Sequence, residues 1–184
     1  WIPTSKPVVD FSVDGGSGND ELKAKGVALA NMALHGGDGH DKLRGTMMGD
    51  FLDGGEGNDD IKGYGGHDVI ETGPAVAPVN GMTEVNVVRG GNGDDTITGS
   101  YGIDVIFGGY GDDIIVGLSG DDTIDGGSGR DIIHGNDGDD YIRGGHGRDL
   151  LRGGIGDDSL NGEGGKDTLY GNEGDDLLYG GNDQ

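Results

Sequence analysis

Cysteine is absent from all 184 residues, which excludes a disulfide framework and any thiolate metal site. Proline is scarce, at four residues against 45 glycines, and without a Gly-X-Y triplet the glycine is not collagenous. No apolar run approaches the roughly 20 residues of a membrane-spanning helix. The opening Trp1-Ile2-Pro3-Thr4-Ser5-Lys6 is not a secretory signal. Basic residues are few: 12 Lys and Arg stand against 35 Asp and Glu, for a net charge of -23. That balance argues against nucleic acid and anionic membranes as partners of the whole chain. Catalytic signatures are missing too, with no G-x-S-x-G elbow and no nucleophile set beside a histidine in sequence. The five histidines, His35, His40, His67, His134 and His146, form no zinc-ligand pair and read as solvated turn residues. The chain therefore reads as non-enzymatic.

An apolar content of 31% and a strongly acidic balance ordinarily point to disorder. A fixed period argues otherwise. Asp95, Asp104, Asp113, Asp122, Asp131, Asp140, Asp149, Asp158, Asp167 and Asp176 stand nine residues apart without a break. Around each recurs one nonapeptide: Gly, usually Gly, any, Gly, any, Asp, any, apolar, any. Gly108-Gly109-Tyr110-Gly111-Asp112-Asp113-Ile114-Ile115-Val116 is a representative copy. A random acidic linker does not hold Asp and an aliphatic residue two positions apart through every copy, and a period of this kind fixes architecture first.

Residues 1–14 read as a lead-in, and 15–184 as the repeat region. Copies run over 15–23, 36–71 and 90–179, fifteen in all, with irregular stretches at 24–35 and 72–89. Every copy has Gly first, Asp sixth and an apolar residue eighth; only Met48 breaks the glycine at the fourth place. Within the first interruption, Val27 to Leu34 is apolar enough for a strand or one helical turn. The second contains Pro74 and Pro78 and is two periods long. It keeps Gly81 first and Val88 eighth, with Asn86 in place of Asp, and reads as an irregular turn that stays in register. A looped-out excursion is the alternative. A first residue that is Trp and a last residue inside a repeat read as a piece of a longer polypeptide.

The first six residues of each copy are turn chemistry, with glycine where φ is positive or backbone must approach closely. The last three form a very short strand whose eighth residue faces one side and whose seventh and ninth face the other. The inward column reads Ile97, Ile106, Ile115, Ile124, Ile133, Ile142, Leu151, Leu160, Leu169 and Leu178. Two copies make one coil of strand, turn, strand, turn. The expected fold is all-β: a flattened parallel β-solenoid with two short-stranded sheets around one aliphatic ladder. One buried aliphatic side chain does not offset the ordering of nine residues, so the chain alone is expected to stay largely unfolded.

Electrostatics says what else is needed. Aspartates eighteen residues apart fall on the same edge, one rung or about 4.8 Å apart. Two negative charges at that distance repel by roughly 3.5 kcal/mol at an effective dielectric of about 20. A cation between them reverses the sign. Calcium takes roughly six to eight oxygens at about 2.3–2.6 Å and suits carboxylates with peptide carbonyls; magnesium demands tighter octahedral geometry and sheds water reluctantly.

On this nonapeptide the chain resembles the RTX (repeats-in-toxin, haemolysin-type) calcium-binding repeats. The resemblance covers all fifteen copies. It implies a right-handed parallel β-roll with each ion held between a turn and the turn two copies on. Carried over, the pairs are Asp95/Asp113, Asp104/Asp122, Asp113/Asp131, Asp122/Asp140, Asp131/Asp149, Asp140/Asp158, Asp149/Asp167 and Asp158/Asp176, with Asp41/Asp59 and Asp50/Asp68 upstream. Asp20 has no partner in register, and Met48 and Asn86 weaken the sites beside them. About 8–10 calcium ions are implied, and about ten would nearly cancel the formal charge of -23. The resemblance further implies a secreted bacterial protein, exported unfolded by a type I channel and folding in extracellular calcium. The module would stabilise or present an attached domain of the same polypeptide.

Two surface features stand apart from the metal. One outer face carries Thr96, Thr98, Ile114, Val116, Ile132, His134, Leu150, Arg152, Thr168 and Tyr170, with an apolar centre that suits a partner domain or simply reflects β-propensity. On the other face Phe51, Val69, Val87 and Val105 line up if 72–89 keeps register. At the fifth place of alternate copies stand Arg130, Arg148 and Lys166, opposite Asp121, Asp139, Asp157 and Asp175. That basic column either balances an acidic protein or contacts a polyanion. Modules attached to alginate epimerases in this family bind acidic polysaccharide, which makes a polysaccharide-binding appendage of a secreted epimerase, lyase, lipase or protease one alternative. A structural element of a surface layer or adhesin is another.

Overall fold

One apolar side chain in nine can define a core only if successive copies stack on one another. In the computed structural model, which describes residues 9–23, 31–73 and 85–182, they do so throughout. Eighteen strands run in chain order from β1 (Val9–Ser17) to β18 (Leu177–Tyr179), and no helix occurs among the described residues. Odd-numbered strands form one nine-stranded sheet and even-numbered strands another, both parallel and in sequence order. Each nonapeptide thus adds one strand, and two complete a coil. Sheet-to-sheet alternation explains why a period-nine sequence gives partners eighteen residues apart: Ile97 pairs with Ile115 and Ile106 with Ile124.

The eighth-position residues from Leu43 to Leu160 are fully buried, with relative exposure of 0% along the ladder. Leu169 is partly buried against it. Leu178, expected as the last inward residue, is 42% exposed, because no described rung packs beyond β18. Strand β1 begins at Val9 and pairs with β3 (Asn31–Asp38). Of the first interruption, 24–30 lies outside the described residues, while Asn31–Leu34 is strand. His35, His134 and His146 also lie on strands, not in turns.

The second interruption departs from expectation. Strand β7 (Val69–Glu71) is followed by β8 (Val85–Asn92) and β9 (Thr96–Thr98). Ile61 of β6 (Asp60–Gly65) pairs with Val88, and Ile70 pairs with Ile97, so both partners are 27 apart instead of eighteen. Among the described residues one strand, β8, is built from 72–89, so the ladder gains one strand there in place of the two expected. Residues 74–84, with Pro74 and Pro78, lie outside the description. The physical consequence is a change of parity. Phe51 and Val69 stay in the odd sheet, where Val69 faces Thr96. Val87 and Val105 lie in the even sheet beside Asp60. The four-residue alignment Phe51-Val69-Val87-Val105 therefore does not exist. The outer row from Thr96 to Thr168, all within 90–179, is present as expected.

Candidate metal centres

Because strands alternate between sheets, the acidic turns collect on two edges. Turns entering odd strands carry Asp50, Asp68, Asp95, Asp113, Asp131, Asp149 and Asp167. Turns entering even strands carry Asp41, Asp59, Asp104, Asp122, Asp140, Asp158 and Asp176, together with Asp20 and Asn86. Rung stacking brings together all ten expected pairs. In each, the first aspartate donates its backbone N–H to Oδ1 of the second: Asp95 to Asp113 at 2.8 Å, Asp113 to Asp131 at 2.9 Å, Asp122 to Asp140 at 2.9 Å. The same bond joins the other seven.

Two further pairs were missed by sequence reasoning. Asp20 donates to Asp41 at 2.8 Å, and Asp68 to Asp95 at 2.9 Å. Both span an insertion, which shifts the separation to 21 and 27 residues. A signal for the first was present, since Leu34 sits two residues before Gly36, where an eighth-position aliphatic belongs. Met32 then occupies the sixth place and donates its N–H to Asp50 at 2.7 Å.

Oδ1 is satisfied, but Oδ2 is not. Among the described residues, Oδ2 of Asp20, Asp41, Asp68, Asp95, Asp113, Asp122, Asp131, Asp140, Asp149, Asp158 and Asp167 is buried without a hydrogen-bond partner. A buried carboxylate oxygen left so is costly. Burial, opposed by the backbone N–H and reinforced by neighbouring carboxylates, pushes Asp122 up to about 8 and Asp68, Asp113, Asp131 and Asp140 to about 7. Asp95 rises to about 6, and Asp104, Asp149 and Asp158 move in the same direction, also through burial.

Burial thus shifts these carboxyls towards the protonated form. Their folded pKa exceeds the ordinary 3.8, so their contribution to stability is complete below that value and lost as pH rises through about 6 to 8. In excess chelator, β structure is expected to increase on acidification from pH about 8 to about 5, and calcium should abolish that dependence. Far-UV circular dichroism along a pH series checks both halves; a metal-free chain losing β structure on acidification contradicts the assignment.

The space facing each Oδ2 explains the invariant first glycine. A Cβ on Gly108 would lie 2.4 Å from Asp113 Oδ2 and 2.6 Å from the Gly126 carbonyl oxygen. At Gly90 the distances to Asp95 Oδ2 and the Gly108 carbonyl oxygen are 2.3 and 2.7 Å. A carboxylate oxygen and a carbonyl from the next rung thus converge where any side chain would intrude. No three His, Cys, Asp or Glu side chains converge among the described residues; what meets in each cradle is a carboxylate oxygen and a peptide carbonyl. A donor set made only of hard oxygens fits calcium. The orphaned aspartates would hold it, and the ion would supply the positive charge that their buried oxygens require.

Turn backbone follows the same rule. The second place has positive φ, as at Gly109 (φ 121), and keeps it even where the residue is Tyr64, Leu118, Asn136, Glu163 or Asn172, with φ of 65 to 86. A left-handed non-glycine residue costs roughly 1–2 kcal/mol, so the turn geometry overrides local preference five times. Thr46 and Ser100 alone among the described second-place residues escape it.

Repeats of this type occur generally in secreted extracellular bacterial proteins, and they bind Ca2+. No curated protein sequence matches this chain. The family profile of the RTX calcium-binding nonapeptide repeat, in four copies, matches residues 44–74, 89–124, 116–151, 125–160 and 152–184. With more than half of the residues matched and a buried aspartate row on each edge, the chain belongs to the RTX calcium-binding nonapeptide repeat family.

Proposed function

We propose that the chain is a non-catalytic module of a secreted bacterial protein that folds as calcium binds outside the cell. Exported through a type I channel, it would then stabilise or present an attached domain. The row of buried Oδ2 atoms without partners supports this most directly. It makes the folded state dependent on a cation that is scarce in the cytosol and abundant outside. Asp41, Asp68, Asp95, Asp113, Asp122, Asp131, Asp140, Asp149, Asp158 and Asp167, each with an orphaned Oδ2, are the candidate ligands, with Asp59 and Asp176 in register beside Asp41 and Asp158. At Asp50 and Asp104, also expected from the sequence, Oδ2 already accepts a backbone N–H. Asp20 joins them. The test is limited proteolysis of the chain at micromolar and millimolar calcium: protection only at the higher level supports the reading, and equal protection at both refutes it.

One observation favours an added polyanion contact. Arg44 pairs with Asp60 at 2.6 Å, Arg143 pairs with Asp125 and Glu163, and Arg152 lies 5.6 Å from the Tyr170 ring centroid. Arg130, Arg148 and Lys166 form no ion pair among the described residues and stack on the edge that enters the odd strands. A calcium-loaded chain is expected to bind a polyuronate, and Arg130→Glu with Arg148→Glu and Lys166→Glu should abolish that binding. Affinity electrophoresis reads both; an unmodified chain that ignores the polymer removes this second reading.

A further inference from the structure

Two of the turns are built differently, and the difference falls on the carboxylate. At Asp104, Oδ2 accepts the Ser100 N–H at 2.6 Å and contacts the Ser100 hydroxyl at 3.2 Å. Oδ1 accepts the Asn86 side-chain amide at 2.9 Å. The Asn86 Oδ1 in turn accepts the Asp59 N–H at 2.9 Å, and its amide also donates to Ser100 Oγ at 3.2 Å. Asn86, Ser100 and Asp104 are all buried. At Asp50 the arrangement is the same. Oδ2 accepts the Thr46 N–H at 2.5 Å, Oδ1 accepts the Met32 N–H at 2.7 Å, and the Thr46 hydroxyl lies 3.3 Å from Oδ1.

In both turns the hydroxyl also receives a backbone N–H two residues on. Met48 donates to Thr46 at 3.0 Å and Gly102 to Ser100 at 3.1 Å. This is the local Ser/Thr turn that competes with other backbone arrangements. Its result is visible in the dihedrals: neither Thr46 nor Ser100 has positive φ, and neither does Met48 or Gly102 at the fourth place. The first-place glycines Gly45 and Gly99 face the carboxylate as elsewhere, but here the second-place peptide is turned so that its N–H meets Oδ2. An N–H donor already satisfies that oxygen and, unlike a carbonyl, offers a cation nothing to bind.

We infer that the rungs at Asp50 and Asp104 are metal-free clasps, closed by Thr46 and by Ser100 with Asn86, and that they divide the calcium array. On the edge entering odd strands, ions begin at Asp68. On the other edge, the Asn86 and Asp104 rungs separate an upstream group containing Asp20 and Asp41 from a downstream group at Asp122, Asp140 and Asp158. Hydrogen bonds hold these two rungs without regard to calcium. The inference rests on the calcium reading and refines which residues carry it.

Native mass spectrometry in calcium separates the two levels. Asp50→Asn and Asp104→Asn are expected to retain the full ion count of the unmodified chain, whereas Asp131→Asn loses an ion. The paired change Thr46→Gly with Met48→Gly, which restores glycine at the second and fourth places, is expected to gain one. Loss of an ion from Asp50→Asn and Asp104→Asn, as from Asp131→Asn, overturns the inference while leaving the calcium reading intact. An unmodified chain that carries no calcium overturns the calcium reading itself, and the inference with it. Circular dichroism of each variant in calcium reports folding, and the glycine pair gives an independent arm should an asparagine variant fail to fold.

Discussion

Excess chelator at neutral pH is expected to convert the chain from β structure to coil, and calcium at sub-millimolar to millimolar levels to restore it cooperatively. The size of this effect follows from what each rung lacks without metal. Its aliphatic side chain is buried, yet nine residues have been ordered for it. Its carboxylate has one satisfied oxygen and one orphan, with another such carboxylate a rung away. Burial holds Asp113, Asp131 and Asp140 near 7 instead of 3.8, so at neutral pH a substantial fraction must be ionised against that burial. A cation removes the penalty on every rung that it bridges. Far-UV circular dichroism during a calcium titration is the direct measurement, with magnesium as the control that should perform far less well. A spectrum unchanged by chelation would show that the ladder stands by itself.

Gly126→Ala is expected to be as damaging as a core truncation although it adds one methyl group and exposes nothing. Gly126 lacks positive φ, so alanine brings no backbone strain there. What it brings is a Cβ 2.6 Å from Asp131 Oδ2 and 2.7 Å from the Gly144 carbonyl oxygen. Either the rung opens or the ion is excluded, leaving a buried charged oxygen unsatisfied at a cost of roughly 1–3 kcal/mol or more. That corresponds to about a five- to hundredfold rise in the calcium needed for folding. Ile133→Val, in the fully buried ladder, serves as the contrast. It should cost about 0.5–1.5 kcal/mol and leave the ion count alone. Thermal melts in calcium combined with ion counting separate them. Equal ion counts in Gly126→Ala and the unmodified chain would contradict the cradle.

The aspartate ladders were legible because they depend on arithmetic. A period of nine and two strands per coil place Asp95 over Asp113 without further information, and the ten pairs expected on that basis are all adjacent. What escaped was carried by insertions. The parity of 72–89 depends on whether that stretch adds one strand or two, and its length of two periods favours the wrong answer. Asn86 and Val88 fit a rung equally well either way; only the pairing of Ile61 with Val88 decides. The clasp at Ser100 escaped for a different reason. Serine at the second place looks no more disruptive than Leu118 or Asn136 in that place, both of which the turn forces to positive φ.

Sequence by itself determined the fold class and the edge aspartates, because each follows from spacing and composition repeated many times over. Tertiary structure alone decided which strand faces which across the insertions, and which carboxylates keep an oxygen to offer. Those outcomes hinge on single peptide orientations, settled when rungs stack and one N–H either reaches a carboxylate or turns away from it.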